Sequence, residues 1–298
     1  MVLTIVEIFY NVSSLFLREV PDLSNSLLES NDQIRNLRAD CDRCFGLCCV
    51  ALPYSKSADF AFDKNGGAPC SNLQSNYQCS IHSDLRDRGF RGCAVYECFG
   101  AGQKVSQSTY GGEDWKESQE TAMEMFEVFP IMQQLHEMLY YLYEALTFEE
   151  VKPISGNILK CIEKTEQLTN LNPKSLLGVD VHSHRTYVNE YLVKASELVR
   201  ATLKPRGKQR KGMDYLGAKL KGANLKGSNM RGALLIAADL READMRVSDF
   251  IGADLRDANL CGANLSGSIF LTQAQVNSAI GNKETKLPGS LKKPKHWL

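Results

Sequence analysis

Apolar residues along this chain follow two different periods. Between Trp115 and Leu146, the residues Phe126, Val128, Ile131, Met132, Leu135, Met138, Leu139, Leu142 and Leu146 recur at steps of three and four. That spacing predicts helix with one buried face. Pro130 lies inside the run, and because proline lacks an N–H it predicts a break or restart there. Similar stripes predict helices over 157–168 and 183–203. Near the start, Ile5, Ile8, Phe9, Val12 and Leu15 to Leu17 predict an amphipathic helix. Glu7, the lack of a basic leader and the lack of a small-residue cleavage site argue against a signal peptide. No stretch reaches the roughly 18–20 apolar residues that a membrane span requires.

The second period is five. Leu220, Leu225, Met230, Leu235, Leu240, Met245, Phe250, Leu255, Leu260, Leu265 and Phe270 fall at every fifth position, with Tyr215 as a first member. Two residues before each stands Ala or Ser, and the residue between is usually Asp or Asn. A helix would smear a five-residue period around its surface and a strand alternates every two, so neither explains it. A square coil does: each pentapeptide forms one side, with the large and the small apolar residue pointing inward. Outward positions then vary freely, as with Lys221, Lys226, Arg231, Arg241, Arg246 and Arg256.

This A(D/N)LXX pattern resembles the pentapeptide-repeat family. The resemblance implies a right-handed quadrilateral β-helix over 213–270, of about three coils and, at a strand spacing of ~4.8 Å, about 14 Å long. The best-known members, the quinolone-resistance proteins, mimic a DNA duplex and occupy the DNA site of gyrase. This chain departs from them: residues 213–270 hold seven Lys or Arg and seven Asp or Glu, and the coil is short. A gyrase-interacting DNA mimic is therefore the weakest of the readings. An open solenoid end needs a cap. After Phe270 the period fails, and 271–298, with Leu287, Leu291 and Trp297, reads as a cap or tail folded over the last coil.

Eight of the ten cysteines lie within 58 positions at the other end: Cys41, Cys44, Cys48, Cys49, Cys70, Cys79, Cys93 and Cys98. Thiolate is the soft ligand preferred by zinc and by iron–sulfur clusters, and CxxC puts two sulfurs on one turn. The segment resembles the zinc- or iron-chelating proteins with a CxxCxxxCC opening, through Pro69-Cys70, Cys79-x-Ile81-His82 and the spaced pair Cys93 and Cys98. That resemblance implies that the eight cysteines bind metal. They suffice for two zinc sites of four thiolates each, or for one iron–sulfur cluster with cysteines to spare; structural disulfides and unligated thiols are the other outcomes. His82 is a further candidate ligand. Gly100-x-Gly102 lacks the strand and the third glycine of a dinucleotide fingerprint.

The resulting organisation is α plus β-solenoid: 1–40 an N-terminal helical segment, 41–112 a Cys-rich metal module, 113–203 a helical region, 204–212 a basic linker, 213–270 the repeat coil and 271–298 the cap. His136 reads as packed or solvent-facing. His182 and His184 read as part of a polar helix start capped by Ser183 rather than as a metal pair. Cys161 and Cys261 read as incidental. No Ser/His/Asp set, phosphate loop or spaced carboxylate pair stands out.

Charge changes the picture only by exclusion. Thirty-five Lys and Arg balance thirty-five Asp and Glu, so nothing global favours nucleic acid or a membrane surface. The cysteine usage fits a reducing cytoplasm. The expectation is a non-catalytic metal-binding interaction or regulatory protein with an unknown protein partner. The alternative is a redox or metal-handling enzyme, zinc or iron–sulfur, with the solenoid as its docking platform.

Overall fold

The computed structural model describes residues 32–201, 203 and 214–298. The expected N-terminal amphipathic helix and the 204–212 linker lie outside these residues. Short helical turns dominate the Cys-rich stretch: α1 (Leu47–Val50), α2 (Arg91–Ala94) and α3 (Ala101–Gln103), the last running into a π-helical turn over Lys104–Thr109. Four longer or better-capped helices follow: α4 (Gln119–Leu146), α5 (Ser155–Thr169), α6 (Pro173–Leu177) and α7 (Val181–Arg200).

The expected break at Pro130 does not occur, and α4 runs through it for 28 residues. An interior proline costs about 3 kcal/mol. Next to it, Val128, Phe129 and Met132 are at most 1% exposed, and each such burial stabilises by about 1.5–3 kcal/mol, so packing outweighs the lost hydrogen bond. The start of α7 also differs from expectation. Asp180, not Ser183, is the cap: its carboxylate accepts the Ser183 N–H at 3.0 Å and the Ser183 hydroxyl at 2.6 Å. Asn172 caps α6 in the same way, with Pro173 in the first turn where no N–H is needed.

Over the repeats, parallel bridges join residues 20 apart in four columns. Asp214, Leu234 and Asp254 form one; Lys219, Asp239 and Asn259 the next; then Asn224, Asp244 and Asn264; then Asn229, Asp249 and Ile269. Twenty residues are four pentapeptides, so each column is one side of a β-helix whose sides contribute an isolated bridge rather than a strand. The inward residues form their own core: Ala233, Leu235, Ala238, Leu240, Ala243 and Met245 are fully buried, as are Phe250, Leu260 and Leu265. The chain turns each corner at positive φ. Gly227 and Gly267 do so without strain, whereas Val247, between them in the same column, is held at φ 58°.

The Asp and Asn of the repeat have a specific task. Each side-chain oxygen accepts the backbone N–H two residues on, as in Asn229 to Arg231, Asp239 to Arg241, Asp249 to Ile251, Asn259 to Cys261 and Asn264 to Ser266. These turns satisfy an N–H that the coil's bridges leave over. Beyond Phe270 the stacking continues without the period: Ile280 bridges to Asn259 and Lys286 to Asn264. Helix α8 (Gln273–Ser278) closes the end, held by a Thr272–Gln275 capping box, and the Gln275 amide donates to the Phe250 and Ala253 carbonyls. Trp297 is 4% exposed, packed on the repeat core, with its indole N–H on the Ala279 carbonyl at 3.0 Å.

The helices pack against the repeats. One hydrophobic cluster joins Leu37, Leu47, Ala101 and Val105 to the inner faces of α4, α5 and α7 and to Ile269 and Phe270 of the repeats. Tyr141 meets the Phe270 ring edge-on at 5.7 Å, and the buried carboxylate of Glu144 accepts the Phe270 N–H at 2.9 Å. On the same seam the buried pair Arg231–Asp249 closes at 3.0 Å, and Arg231 also reaches Asn189 of α7.

Candidate functional site

The eight clustered cysteines fold into two neighbourhoods, and chain geometry explains the division. Cys41 ends the chain's approach on a 3-10 turn, Cys44 follows it, and Gly46 at φ 67° reverses the backbone into α1, which carries Cys48 and Cys49 on adjacent positions. Adjacent helical residues point about 100° apart, so those two thiols diverge while their sulfurs stay 4.0 Å apart. Cys44 and Cys98 lie near enough to Cys48 for their charges to act on it, and Cys49 acts likewise on Cys79 and Cys93 of the following loop.

The electrostatics couple the thiols within each neighbourhood, and Cys49 also acts across on Cys41 and Cys48. Burial raises the Cys41 thiol pKa, and Cys44 adds to the shift, as does Cys49. Burial likewise raises Cys44 and Cys98, with Cys98 acting on Cys44 and Cys41 on Cys98. Cys48 is driven up first by its hydrogen bond with Cys49 and then by burial, with Cys44 and Cys98 contributing. In the second group, burial pushes Cys93 up to about 12, reinforced by Cys49, Cys70 and Cys79. Cys79 is raised by burial and then by Cys49 and Cys70. Cys49 alone is lowered, by the Cys48 hydrogen bond first and by the charge of Lys64.

The sulfurs also share a local surrounding. Cys44 accepts from the N–H groups of Leu47 and Gly46 and from Ser106; Cys98 from those of Gly102 and Gly100; Cys79 from that of Ile81. The Asn72 N–H lies 3.5 Å from Cys70 Sγ. In each of these four turns a donor comes from two residues after the cysteine; at Cys44, Cys79 and Cys98 these donors partly offset the rise that burial causes. Gly102 has to be glycine here, since a Cβ would stand 2.6 Å from Cys44 Sγ.

Three residues around the cysteines carry no sequence signal. Lys64 is 7% exposed, and its ammonium donates to the carbonyls of Val50, Asn65 and Ala68 at 2.8–3.0 Å beside the second group. The Tyr54 hydroxyl donates to Cys70 Sγ at 3.3 Å, and its ring stacks on Phe60 at 4.3 Å. Ser106 bridges the first group to the Phe45 N–H at 3.1 Å.

All ten cysteines are free thiols, so the structural-disulfide outcome is not found. Among the described residues, no three Cys, His, Asp or Glu side chains converge tightly enough to form a ready metal-binding group. His82 is exposed on a 3-10 turn. His182 and His184 diverge: His184 is buried with Nε2 at 2.9 Å from the Thr165 hydroxyl, while His182 lines a separate surface cleft. His136 is packed rather than solvent-facing, with Nδ1 donating to the Phe99 carbonyl at 2.8 Å; burial drives its pKa down to about 4. Cys161 is buried in α5 and Cys261 half-buried on the coil. No helix among the described residues is long and apolar enough to cross a membrane.

Comparison with known proteins supports the repeat region directly. The family model for pentapeptide repeats matches residues 217–250 and 228–267, with eight copies. Among curated proteins, the chain is 69% identical over 266 residues to "Uncharacterized protein YybG" of Bacillus subtilis strain 168, covering 88% of this chain and 95% of that one. At that identity and coverage the chain belongs to the same family as that Bacillus protein, and its residues 217–267 are a pentapeptide-repeat region.

Proposed function

We propose that this is a non-catalytic, metal-stabilised interaction protein of the cytoplasm: two cysteine quartets each hold a metal ion, and the repeat coil, about three turns long, offers flat faces to a protein partner. Cys41, Cys44, Cys48 and Cys98 would hold one ion, and Cys49, Cys70, Cys79 and Cys93 the other. The observation that carries this reading is the gathering of eight thiols in one stretch, with backbone N–H donors on the sulfurs of four of them, Cys44, Cys70, Cys79 and Cys98. Unpaired buried thiols have no need of such donors, whereas thiolate ligands do.

Zinc fits best. A set of four thiolates leaves no open coordination position, which is the composition of a structural zinc site. The bound ion supplies cross-linking, and its binding free energy is folding free energy for a stretch made of short turns. The thiols here are neighbours, and closing them around an ion is the step in which that energy is released. The coil supports the partner role because its outward cations are neutralised in place: Arg241, Arg246 and Arg256 each sit on the Asp two residues before, at 2.6–2.9 Å. A face of such pairs has no field to imitate DNA.

Metal analysis of the full chain purified without oxygen tests this. About two zinc ions per chain are expected, with Cys93→Ser retaining about one and Cys44→Ser retaining about one. Protein without bound metal, or with stoichiometric iron and acid-labile sulfide, would overturn the zinc reading, and the latter result would favour electron transfer.

A further inference from the structure

Six of the coil's seven cations are paired: Lys221, Lys226 and Arg231 as well as the three arginines above meet a carboxylate, and the exposed Lys219 is the exception among the described residues. Four cations elsewhere are not. Arg38, Lys292, Lys293 and Lys295 are exposed around a cleft of about 430 Å³, and among the described residues none of them has a carboxylate within ion-pair distance. Arg38 instead donates to the Ser290 carbonyl at 3.4 Å, and Lys293 to that of Lys283. Among the described residues Glu97 is the one acid lining this cleft, and its carboxylate is engaged by the Phe99 N–H at 3.0 Å.

Below the cationic rim the wall turns aromatic. Tyr140 of α4 lines the cleft, backed by Phe99 with ring centroids 5.2 Å apart. The walls come from three separate parts of the chain: Arg38 and Glu97 from the Cys-rich end, Tyr140 from the helices, and the lysines from the C-terminal tail. Four cations facing a single carboxylate, Glu97, repel one another, a cost that a polyanionic ligand relieves. The cleft volume lies in the range of about 300–1,000 Å³ typical of small-molecule sites.

We propose that this cleft binds a nucleoside polyphosphate, with the phosphates against Lys292, Lys295 and Arg38 and the base against Tyr140. Lysine ammonium groups are point charges suited to phosphate, and an aromatic face stacks any base. Glu97 lies deeper and accepts hydrogen bonds from an exocyclic amine. Such a ligand ties the tail to the Cys-rich end, and it does so whether or not the cysteines hold metal.

Calorimetric titration of the full chain with ATP, adenosine and inorganic triphosphate tests the assignment. One ATP per chain is expected, bound more tightly than triphosphate and far more tightly than adenosine. The surface pair Lys292→Glu/Lys295→Glu should weaken ATP about tenfold or more, since it reverses two charges at the phosphates. Tyr140→Leu, which keeps an apolar residue at that site, should weaken ATP about tenfold through lost stacking and leave triphosphate unchanged. Three results would overturn the proposal: no saturation by ATP below about 1 mM, ATP binding unaffected by the lysine substitutions, or triphosphate binding as tightly as ATP. Displacement of ATP by a single-stranded oligonucleotide at lower concentration than ATP itself would reassign the cleft to nucleic acid.

Discussion

At the scale of single residues, the repeat is governed by what each of its five positions must satisfy. The Asp or Asn accepts a backbone N–H, the large residue fills the axis, and the small one leaves room for its neighbour. Leu234 breaks this rule: it stands in the Asp214 and Asp254 column, is 46% exposed, and has no side-chain oxygen for the Ile236 N–H. Leu234→Asn should therefore raise thermal stability, by the order of 0.5–1.5 kcal/mol that a net hydrogen bond contributes. A melting temperature below that of the wild type would mean that Leu234 is held by an apolar contact instead. The pattern of Asp and Asn was visible in the chain, but its reason was not, because the N–H it serves is identified only once the coil's bridges are known.

At the scale of elements, the seam between α4 and the repeats turns on Glu144. One carboxylate oxygen takes the Phe270 N–H, and the other is buried without a partner among the described residues. Burial pushes its pKa up to about 8; the Phe270 N–H opposes the shift and Asp249 adds to it. The folded state thus keeps a proton that the unfolded chain loses near the ordinary carboxylate value of 4.5. Stability from this group is intact below that value and falls as pH rises to about 8, after which the loss is complete. Glu144→Gln, a neutral isostere, should remove that slope, so that melting temperatures of variant and wild type converge near pH ~5 and the variant is the more stable near pH ~8.5. Parallel pH profiles for the two proteins across this window would refute the account. His136, buried in the same helix with its pKa lowered to about 4, works in the opposite sense and penalises the fold only in acid.

At the scale of the whole molecule, one hydrophobic cluster runs from Leu37 through α4, α5 and α7 to Phe270. The Cys-rich end and the repeat end should therefore unfold together. The chain's two tryptophans report on each end separately: Trp115 donates to the Phe45 carbonyl at 2.9 Å, and Trp297 closes the solenoid. In urea, the fluorescence midpoints of Trp115→Phe and Trp297→Phe should each coincide with that variant's circular-dichroism midpoint. Separate midpoints would show two independent folding units. Contacts such as Arg91 with Asp257 and Arg86 with the Asn277 carbonyl reinforce the coupling from the Cys-rich side.

What the sequence determined by itself was everything that rests on local repetition. A five-residue period admits a four-sided coil, a step of three and four admits helix, and both are legible because each residue's role depends on its near neighbours. Eight cysteines in 58 residues announced themselves as a group for the same reason. Tertiary structure decided the rest. It carried α4 through Pro130 because buried neighbours outweighed the lost bond, and it packed the helical region against the solenoid as lateral support. It brought the eight cysteines into one region around α1, and it brought Lys64, Tyr54 and Ser106 to them from positions with no pattern of their own. It also gathered Arg38, Tyr140 and Lys292 around one cleft from sites more than 100 residues apart. Such long-range juxtapositions arise from the packing of whole elements, and no period along the chain encodes them.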